Sequence, residues 1–374
     1  MNRIKKKILL LHSSNDLYGA SKIFLQIIQI LINQGYEIHI VLPSKGPMDD
    51  FFENKINLNY HSLGVLRKKY LNPMGLVNRI LTNLKAIKFL SSYIKKNEIN
   101  LVYTNTSTIL SGGIAAKKNK IPSLFHIHEI PFGNKLYELF IGKMINIYSN
   151  RIIAVSNSVK NQWVKYVNVE KITRIYNGIK IKMLKEKKIR KKSTFSSIGR
   201  IYPLKGHKYL LQIIQQLIKL DPTLNFNIYG DPLKEEKKYF DSLLKIINKN
   251  NLLEHVKLKG FTNNKLLMYE NTDFLIHTSI YPDSLPTVIL ESFTHSIPVI
   301  STNVTGSQEI LDNGKLGLLI PLNKPIKSAR LIYEYINDLE LQNIHIKNSK
   351  LSLESKFNLK SFKTKILKEI SGLL

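Results

Sequence analysis

Residues 8–42 run ILLLHSSNDLYGASKIFLQIIQILINQGYEIHIVL, and their reading decides the fold. Ile8–Leu11 is apolar on both faces, as a buried strand is, and the polar loop His12–Asp16 bounds it. From Ser21 to Asn33 the apolar spacing becomes helical, with Ile23, Ile27, Ile30 and Leu31 on one stripe. Gly35 stops that helix, and Glu37–Leu42 is the next strand, ended by Pro43. Strand, helix, strand with no room for a hairpin predicts a parallel sheet covered on both faces.

The rhythm continues outward. Leu101–Tyr103, Ser123–Ile127 and Arg151–Val155 read as strands, with a helix over Ile109–Lys118. After Tyr176-Asn177-Gly178 the apolar pattern lapses. Lys180–Lys192 holds eight Lys or Arg and one Glu, which reads as an exposed linker. A second series follows, with strands at Phe195–Gly199, Asn225–Tyr229, Val256–Leu258, Phe274–His277 and Pro298–Ser301. Helices fall at Tyr209–Leu220, Lys237–Asn248, Leu285–His295 and Ser307–Leu311. The expectation is α/β, two Rossmann-like domains over 1–178 and 194–354, a basic linker at 179–193, and a C-terminal helix (about 355–374) packing back on the first domain. Ligands of open α/β sheets sit outside the carboxyl ends of strands, so two facing sheets place the site in an interdomain cleft.

The chain has 374 residues, 56 Lys and Arg against 27 Asp and Glu, and a net charge of +29. That surplus calls for an anionic partner: nucleic acid, a membrane surface or a phosphorylated substrate. The absence of Cys excludes disulfides, thiolate metal sites and thiol catalysis. The basic start is followed by only four apolar residues, too few for a signal peptide, and no run is long enough to span a membrane. The expected location is cytoplasmic, with peripheral attachment to the inner face of the cell membrane as the extension of that reading. Nucleic-acid binding is disfavoured because the cations are spread over both halves and only eight are Arg.

Four stretches carry chemistry. Asn15–Ser21, with Gly19 and Ala20, opens the first helix, where free N–H groups meet an anion or form a plain turn. It lacks G-x-G-x-x-G, which counts against a dehydrogenase. Phe125-His126-Ile127-His128-Glu129 ends a strand, with both histidines on one side. They read as sugar-hydroxyl ligands or as ordinary half-buried strand residues, and no third ligand supports a metal. Gly199–Gly206 carries Arg200 and Lys205 in one loop, a pair suited to a diphosphate. Tyr281–Ser292 sets Asp283 in a loop and Glu291 two turns into a helix, with Pro286 at its start and amides near Leu285, Thr287 and Val288 open to a phosphate.

This last set resembles family 4 of the retaining, nucleotide-sugar-dependent glycosyltransferases, which have the GT-B fold. Ile297–Ser301, Thr305–Ile310, Ala154–Ser156 and Tyr176–Ile179 are similar to it as well, so the resemblance runs from Ile8 to about Leu319. It implies that Glu291 binds the nucleotide ribose and that Asp283, where the family usually has Glu, contacts the donor sugar. It further implies Arg200 and Lys205 on the diphosphate, the amides of Leu285, Thr287 and Val288 on phosphate, and Gly19 near diphosphate and acceptor. His128 matches the active-site histidine, with His126 as runner-up; Gly230-Asp231 and Gly260-Phe261 fall where the base is held. Glu129 and Asn177 complete the expected substrate-binding set.

The implied partners are a nucleoside-diphosphate sugar and a glycan or lipid-linked acceptor, with no metal or other cofactor. No D-x-D motif is present to hold a metal. Attack on the face the leaving group vacates is the expected route to retention, with Glu129 the weaker candidate for a covalent nucleophile. A GT-B epimerase or phosphorylase is the alternative on the same fold. Finally, Lys135–Tyr148 is amphipathic, with Leu136, Leu139, Phe140, Met144 and Ile147 on one side. Core packing is the ordinary reading of that side, and contact with lipid the other.

Overall fold

Short strands, buried on both faces at the centre of each sheet as in Ile8–Leu11 and Phe274–His277, make the two cores. The computed structural model describes residues 5–52, 56–66, 73–130, 134–180 and 193–374. The first half is built from β1 (Lys7–Leu11), α1 (Gly19–Asn33), β2 (Glu37–Leu42), β3 (Asn57–Tyr60), α2 (Pro73–Asn97), β4 (Leu101–Thr104) and α3 (Ser111–Lys118). It continues with β5 (Ser123–Ile127), α4 (Lys135–Tyr148), β6 (Arg151–Ala154), α5 (Asn157–Trp163) and β7 (Ile172–Arg174). The strands form one sheet in the order β3-β2-β1-β4-β5-β6-β7, every neighbouring pair parallel. Leu9 and Leu11 pack with Leu90 and Ile94 of α2 and Ala115 and Ala116 of α3.

The second half holds β8 (Thr194–Ile198), α6 (His207–Leu220), β9 (Asn225–Tyr229), α7 (Lys237–Lys249), β10 (Val256–Gly260), α8 (Lys265–Glu270) and β11 (Phe274–His277). Then follow α9 (Thr287–Thr294), β12 (Val299–Thr302), α10 (Thr305–Ile310), β13 (Leu318–Ile320), α11 (Pro325–Ile336), α12 (Leu339–Ser355) and α13 (Leu359–Ser371). Its parallel sheet runs β10-β9-β8-β11-β12-β13. Phe226, Phe195 and Phe274 lie opposite one another on three neighbouring strands and stack at 5.0 and 5.2 Å, a buried aromatic ladder across the middle of the sheet.

The chain divides into two compact units, Met1–Asn177 with Lys360–Leu374, and Gly178–Leu359. Helix α13 belongs to the first unit and buries Phe362, Ile366 and Ile370, one stripe at four-residue spacing. The basic linker expected at 179–193 lies outside the described residues over 181–192. Each sheet has a point where strand order reverses: between β1 and β4 in the first unit, and between β8 and β11 in the second. Loops leaving such neighbours diverge and open a crevice at the carboxyl ends.

Three strands escape a reading by pattern: β3, β7 and β13. All are sheet edges of three or four residues and are only partly buried, so they lack the double-sided apolar signature. Helix α4 corrects the core-packing reading of its apolar side. The face it buries is Glu138, Ile141, Gly142 and Ile145, whereas Leu136, Leu139, Phe140 and Ile147 are exposed. Gly142 allows that approach, because a Cβ there would lie 2.2 Å from the Tyr166 Cβ. Helix α9 starts at Thr287, two residues later than its pattern predicts, since Pro286 caps it in an extended conformation.

Candidate active site

In the first unit the polar side chains cluster where β1 and β4 part. Leu11 and Thr104 are the last residues of those strands, and the next residues, His12 and Asn105, meet across the gap. The Asn105 Nδ2 lies 3.2 Å from His12 Nδ1, and its Oδ1 lies 2.9 Å from His128 Nε2, just beyond β5. His12 Nε2 is 3.0 Å from the Ser21 hydroxyl, which donates to Asp16 Oδ1 at 2.7 Å. Asp16 also accepts from the Tyr18 N–H at 3.1 Å, fixing the loop that starts α1 at Gly19. One amide bridging two rings selects their tautomers. With its Nδ2 donating to His12, its Oδ1 must accept the proton of His128 Nε2, leaving the lone pair of His128 on Nδ1.

Both strand-end histidines are neutral. Burial pushes His126 down to about 3. Burial, aided by His126 and His12, holds His128 well below the usual imidazole range. The two rings share a side, with centroids 4.3 Å apart. Their surroundings differ. His126 is fully buried, with Nδ1 on the Tyr103 hydroxyl at 2.7 Å and no partner for Nε2, while His128 is only partly buried.

The Glu129 carboxylate accepts from the Thr106 hydroxyl, from the Ser107 N–H and hydroxyl at 3.1 Å each, and from the His128 N–H at 3.2 Å. Trp163 Nε1 donates to its backbone carbonyl at 2.9 Å. A carboxylate tied by four donors is built to hold the β4 and β5 loops together. Asn177, where the chain leaves this unit, is buried, and its Oδ1 has no hydrogen-bond partner.

The second unit uses charge. Lys205, at the end of the Arg200 loop, forms an ion pair with Asp283 after β11, both partly buried. Burial alone would raise the Asp283 pKa, but Lys205 and then His277 outweigh it and hold the carboxyl well below the carboxylate range. Lys205 is raised in turn, because Asp283 opposes the effect of its burial. His277 Nε2 lies 3.5 Å from the same carboxylate. Its pKa is lowered by burial against the pull of Asp283. His207 is lowered to about 4 by burial and by Lys205 and His277.

Two glycines permit the crowding. Gly206 turns left-handed at φ +69°, and a Cβ there would lie 2.0 Å from the Thr278 carbonyl oxygen. A Cβ on Gly306, at the start of α10, would lie 1.9 Å from the Asp283 carbonyl oxygen. Both positions admit only glycine without moving backbone.

The other residues expected in this unit lie on or just before α9 and at the ends of β9 and β10. Leu285 and Pro286 are buried, and the first N–H of α9 to reach a helical carbonyl is that of Ile289, to Pro286. The amides of Thr287 and Val288 are thus the first of the helix, at its positive end. Glu291 is buried on the same helix; Tyr269 donates to its Oε2 at 3.0 Å and Lys265 approaches its Oε1 at 3.0 Å. Gly230 and Gly260 join the ends of β9 and β10 through a 2.8 Å hydrogen bond, beside the half-exposed ring of Phe261.

Sequence reasoning missed His12, Asn105, Thr106 and Ser107 in the first unit, and His277, His207, Lys265 and Tyr269 in the second. The run Asn105-Thr106-Ser107-Thr108 directly after an apolar strand was the available signal. Among the described residues no three His, Asp or Glu side chains gather as a metal site.

Residues 18–182 match the family described as Glycosyltransferase Family 4, and residues 178–352 match Glycosyl transferases group 1. An Escherichia coli UDP-Gal:alpha-D-GlcNAc-diphosphoundecaprenol alpha-1,3-galactosyltransferase is 25% identical over 372 residues, covering 92% of this chain and 91% of its own. The Staphylococcus aureus capsular polysaccharide biosynthesis glycosyltransferase CapH is 25% identical over 75% of this chain and 77% of its own. Among solved structures, Anabaena HepE in complex with UDP and glucose superposes with a TM-score of 0.83 at 21% identity, over 98% of this chain and all of that one. Two parallel-sheet units of seven and six strands, matched end to end by such relatives, make this chain a glycosyltransferase of the GT-B fold, whose first half matches Family 4 and whose second half matches group 1.

Proposed function

We propose that the protein transfers a hexose from a nucleoside-diphosphate sugar to a lipid-linked glycan, with retention of anomeric configuration, in the synthesis of a cell-surface polysaccharide. The observation that carries this reading is the Lys205–Asp283 pair set beside the start of α9, at the reversal point of the second sheet. As the glycosidic bond to the donor breaks, negative charge grows on the diphosphate and positive charge on the anomeric carbon. Lys205, Arg200 and the first amides of α9 supply fixed positive charge to the leaving group. Asp283, kept ionised by Lys205, would meet a sugar hydroxyl or the developing cation. Glu291, buried one turn into α9, would accept ribose hydroxyls.

With two cations and a helix end on the diphosphate, transfer proceeds without a metal or other cofactor. The four donors already on Glu129 favour attack by the acceptor from the face that the diphosphate leaves, with no covalent enzyme intermediate. UDP-hexoses are the first donors to test, because the E. coli relative is named for UDP-galactose and HepE was crystallised with UDP.

The test is a thermal-shift screen of UDP-, GDP- and ADP-sugars, followed by coupled detection of nucleoside diphosphate and NMR of the product anomer. One donor class should stabilise the protein, release of diphosphate should depend on acceptor, and the new linkage should keep the donor's configuration. An inverted product would overturn the retaining assignment. Nucleoside diphosphate released equally without acceptor would favour a hydrolase, and a donor isomerised with no nucleoside diphosphate released would favour an epimerase.

A further inference from the structure

Helices α2 and α4 carry exposed apolar stripes that nothing in the reaction uses. On α4, Leu136 is 74% and Phe140 52% exposed, with Leu139 and Ile147 on the same side. On α2, Val77 is 59% and Leu84 58% exposed, with Ile80 and Leu81 beside them. Both sets recur at three- and four-residue intervals, so each is one stripe of its helix. Among the described side chains of α2, burial begins only at Ala86, so the three turns bearing this stripe overhang the core.

Both helices hold the same loop, residues 64–66. Asn83, next to Leu84, donates to the Gly64 carbonyl at 2.7 Å, and Tyr137, next to Leu136, donates to the Leu66 carbonyl at 2.8 Å. Each helix returns from the carboxyl end of one parallel strand to the amino end of the next. Their first turns therefore stand at the carboxyl end of the sheet, the end at which the first unit gathers its polar site.

Charge says what covers them. The helices α2, α3 and α4 carry nine Lys and Arg, and their only carboxylate, Glu138, is buried and accepts from the Tyr166 hydroxyl at 2.7 Å. Along α2 the apolar row Val77, Leu81, Leu84 continues as Lys88 and Lys95, apolar at its overhanging end and cationic beyond it. Such a pattern fits the acyl boundary and phosphate layer of an anionic bilayer, whereas a protein partner would need matching carboxylates. Among the described residues no helix is long and apolar enough to cross a membrane, so contact here is from one side.

We propose that the first turns of α2 and α4 form a docking surface for an anionic lipid bilayer. This rests on and deepens the lipid-linked-acceptor reading above by setting the membrane at the end of the first unit that gathers its polar site. The experiment is co-sedimentation with vesicles of phosphatidylglycerol and phosphatidylcholine in equal parts, and with phosphatidylcholine alone, at low salt. The probes are wild-type protein and the double variants Leu81→Asp with Leu84→Asp and Leu136→Asp with Phe140→Asp.

Wild-type protein should pellet with the anionic vesicles and at least about tenfold more weakly with neutral ones. Each double variant should bind anionic vesicles at least about tenfold more weakly while melting normally by circular dichroism. Wild-type protein left in the supernatant, or variants that bind as it does, would overturn the proposal. So would sedimentation velocity showing a dimer that the aspartates dissolve, which would make the stripes an interface between copies. Vesicle binding is read without donor and diphosphate release without vesicles, so failure of one reading leaves the other standing.

Discussion

The two reversal points are built alike and furnished oppositely. Where β1 and β4 part, burial keeps His126 and His128 neutral, and the hydrogen bonds pass from Asp16 through Ser21, His12 and Asn105 to His128. Where β8 and β11 part, an ammonium and a carboxylate face one another beside two histidines kept neutral by burial. The same topology thus presents directional hydrogen bonds in one unit and fixed charge in the other. Sugar hydroxyls are read by direction; a departing diphosphate is stabilised by charge.

The sharpest way to break the comparison is to remove the charge. Arg200→Ala and Lys205→Ala should each raise the barrier to transfer by about 2–4 kcal/mol. The effect should appear in kcat, because the charge it answers develops as the bond breaks. Lys205→Ala also leaves Asp283 partly buried without its cation, so it should melt earlier as well. Near-normal release of diphosphate by both variants would sink the assignment of the second unit to the leaving group.

Acid weakens both sites through histidines that burial keeps neutral, and the fully buried His126 is the clearest case. His126 titrates near 3 when folded and near 6.5 when unfolded. Between those values the unfolded chain binds the proton first, so its contribution is complete above pH 6.5 and is lost as pH falls toward 3. By pH 5 the loss from this one buried ring is about 2 kcal/mol. His126→Gln, which cannot titrate, should flatten the melting-temperature profile between pH 8 and 5. Asp283, depressed by Lys205 and His277, loses its contribution only as pH drops below the ordinary carboxylate range. Denaturation curves for His126→Gln and wild type that stay parallel through pH 5 would show that His126 is not held neutral.

The charged site was the more legible in sequence for the same physical reason. Lys205, Asp283 and Glu291 are separated by Gly and Pro whose backbone roles leave marks in the primary structure, and Gly206 and Gly306 are crowded against carbonyls near them. The neutral site is assembled from residues 93 positions apart, such as His12 and Asn105, neither of which stands in a marked motif. The central strands were readable because burial on both faces leaves unbroken apolar runs. The edge strands β3, β7 and β13 were not, nor was α2, whose overhanging turns face outward and blur its core stripe.

The smallest expected effect tests the neutral relay itself. Asn105→Ala removes the one group that touches both His12 and His128, at 3.2 and 2.9 Å. It adds no charge and strands none, but it removes three hydrogen bonds, to His12, to His128 and to the Ala20 carbonyl, so the fold should survive at a cost of about 1–3 kcal/mol. What it should change is the proton on His128. Without the Oδ1 acceptor the ring is free to carry its proton on either nitrogen, and the ¹⁵N shifts of the two should move toward each other. Transfer should fall by about tenfold, since an imidazole in the wrong tautomer offers a donor where an acceptor is needed. A loss as large as that of Lys205→Ala would place the relay at the reacting atoms and erase the division of labour between the units. Unchanged ¹⁵N shifts with a normal rate would show that Asn105 only joins two loops, and that His128 is held by its burial alone.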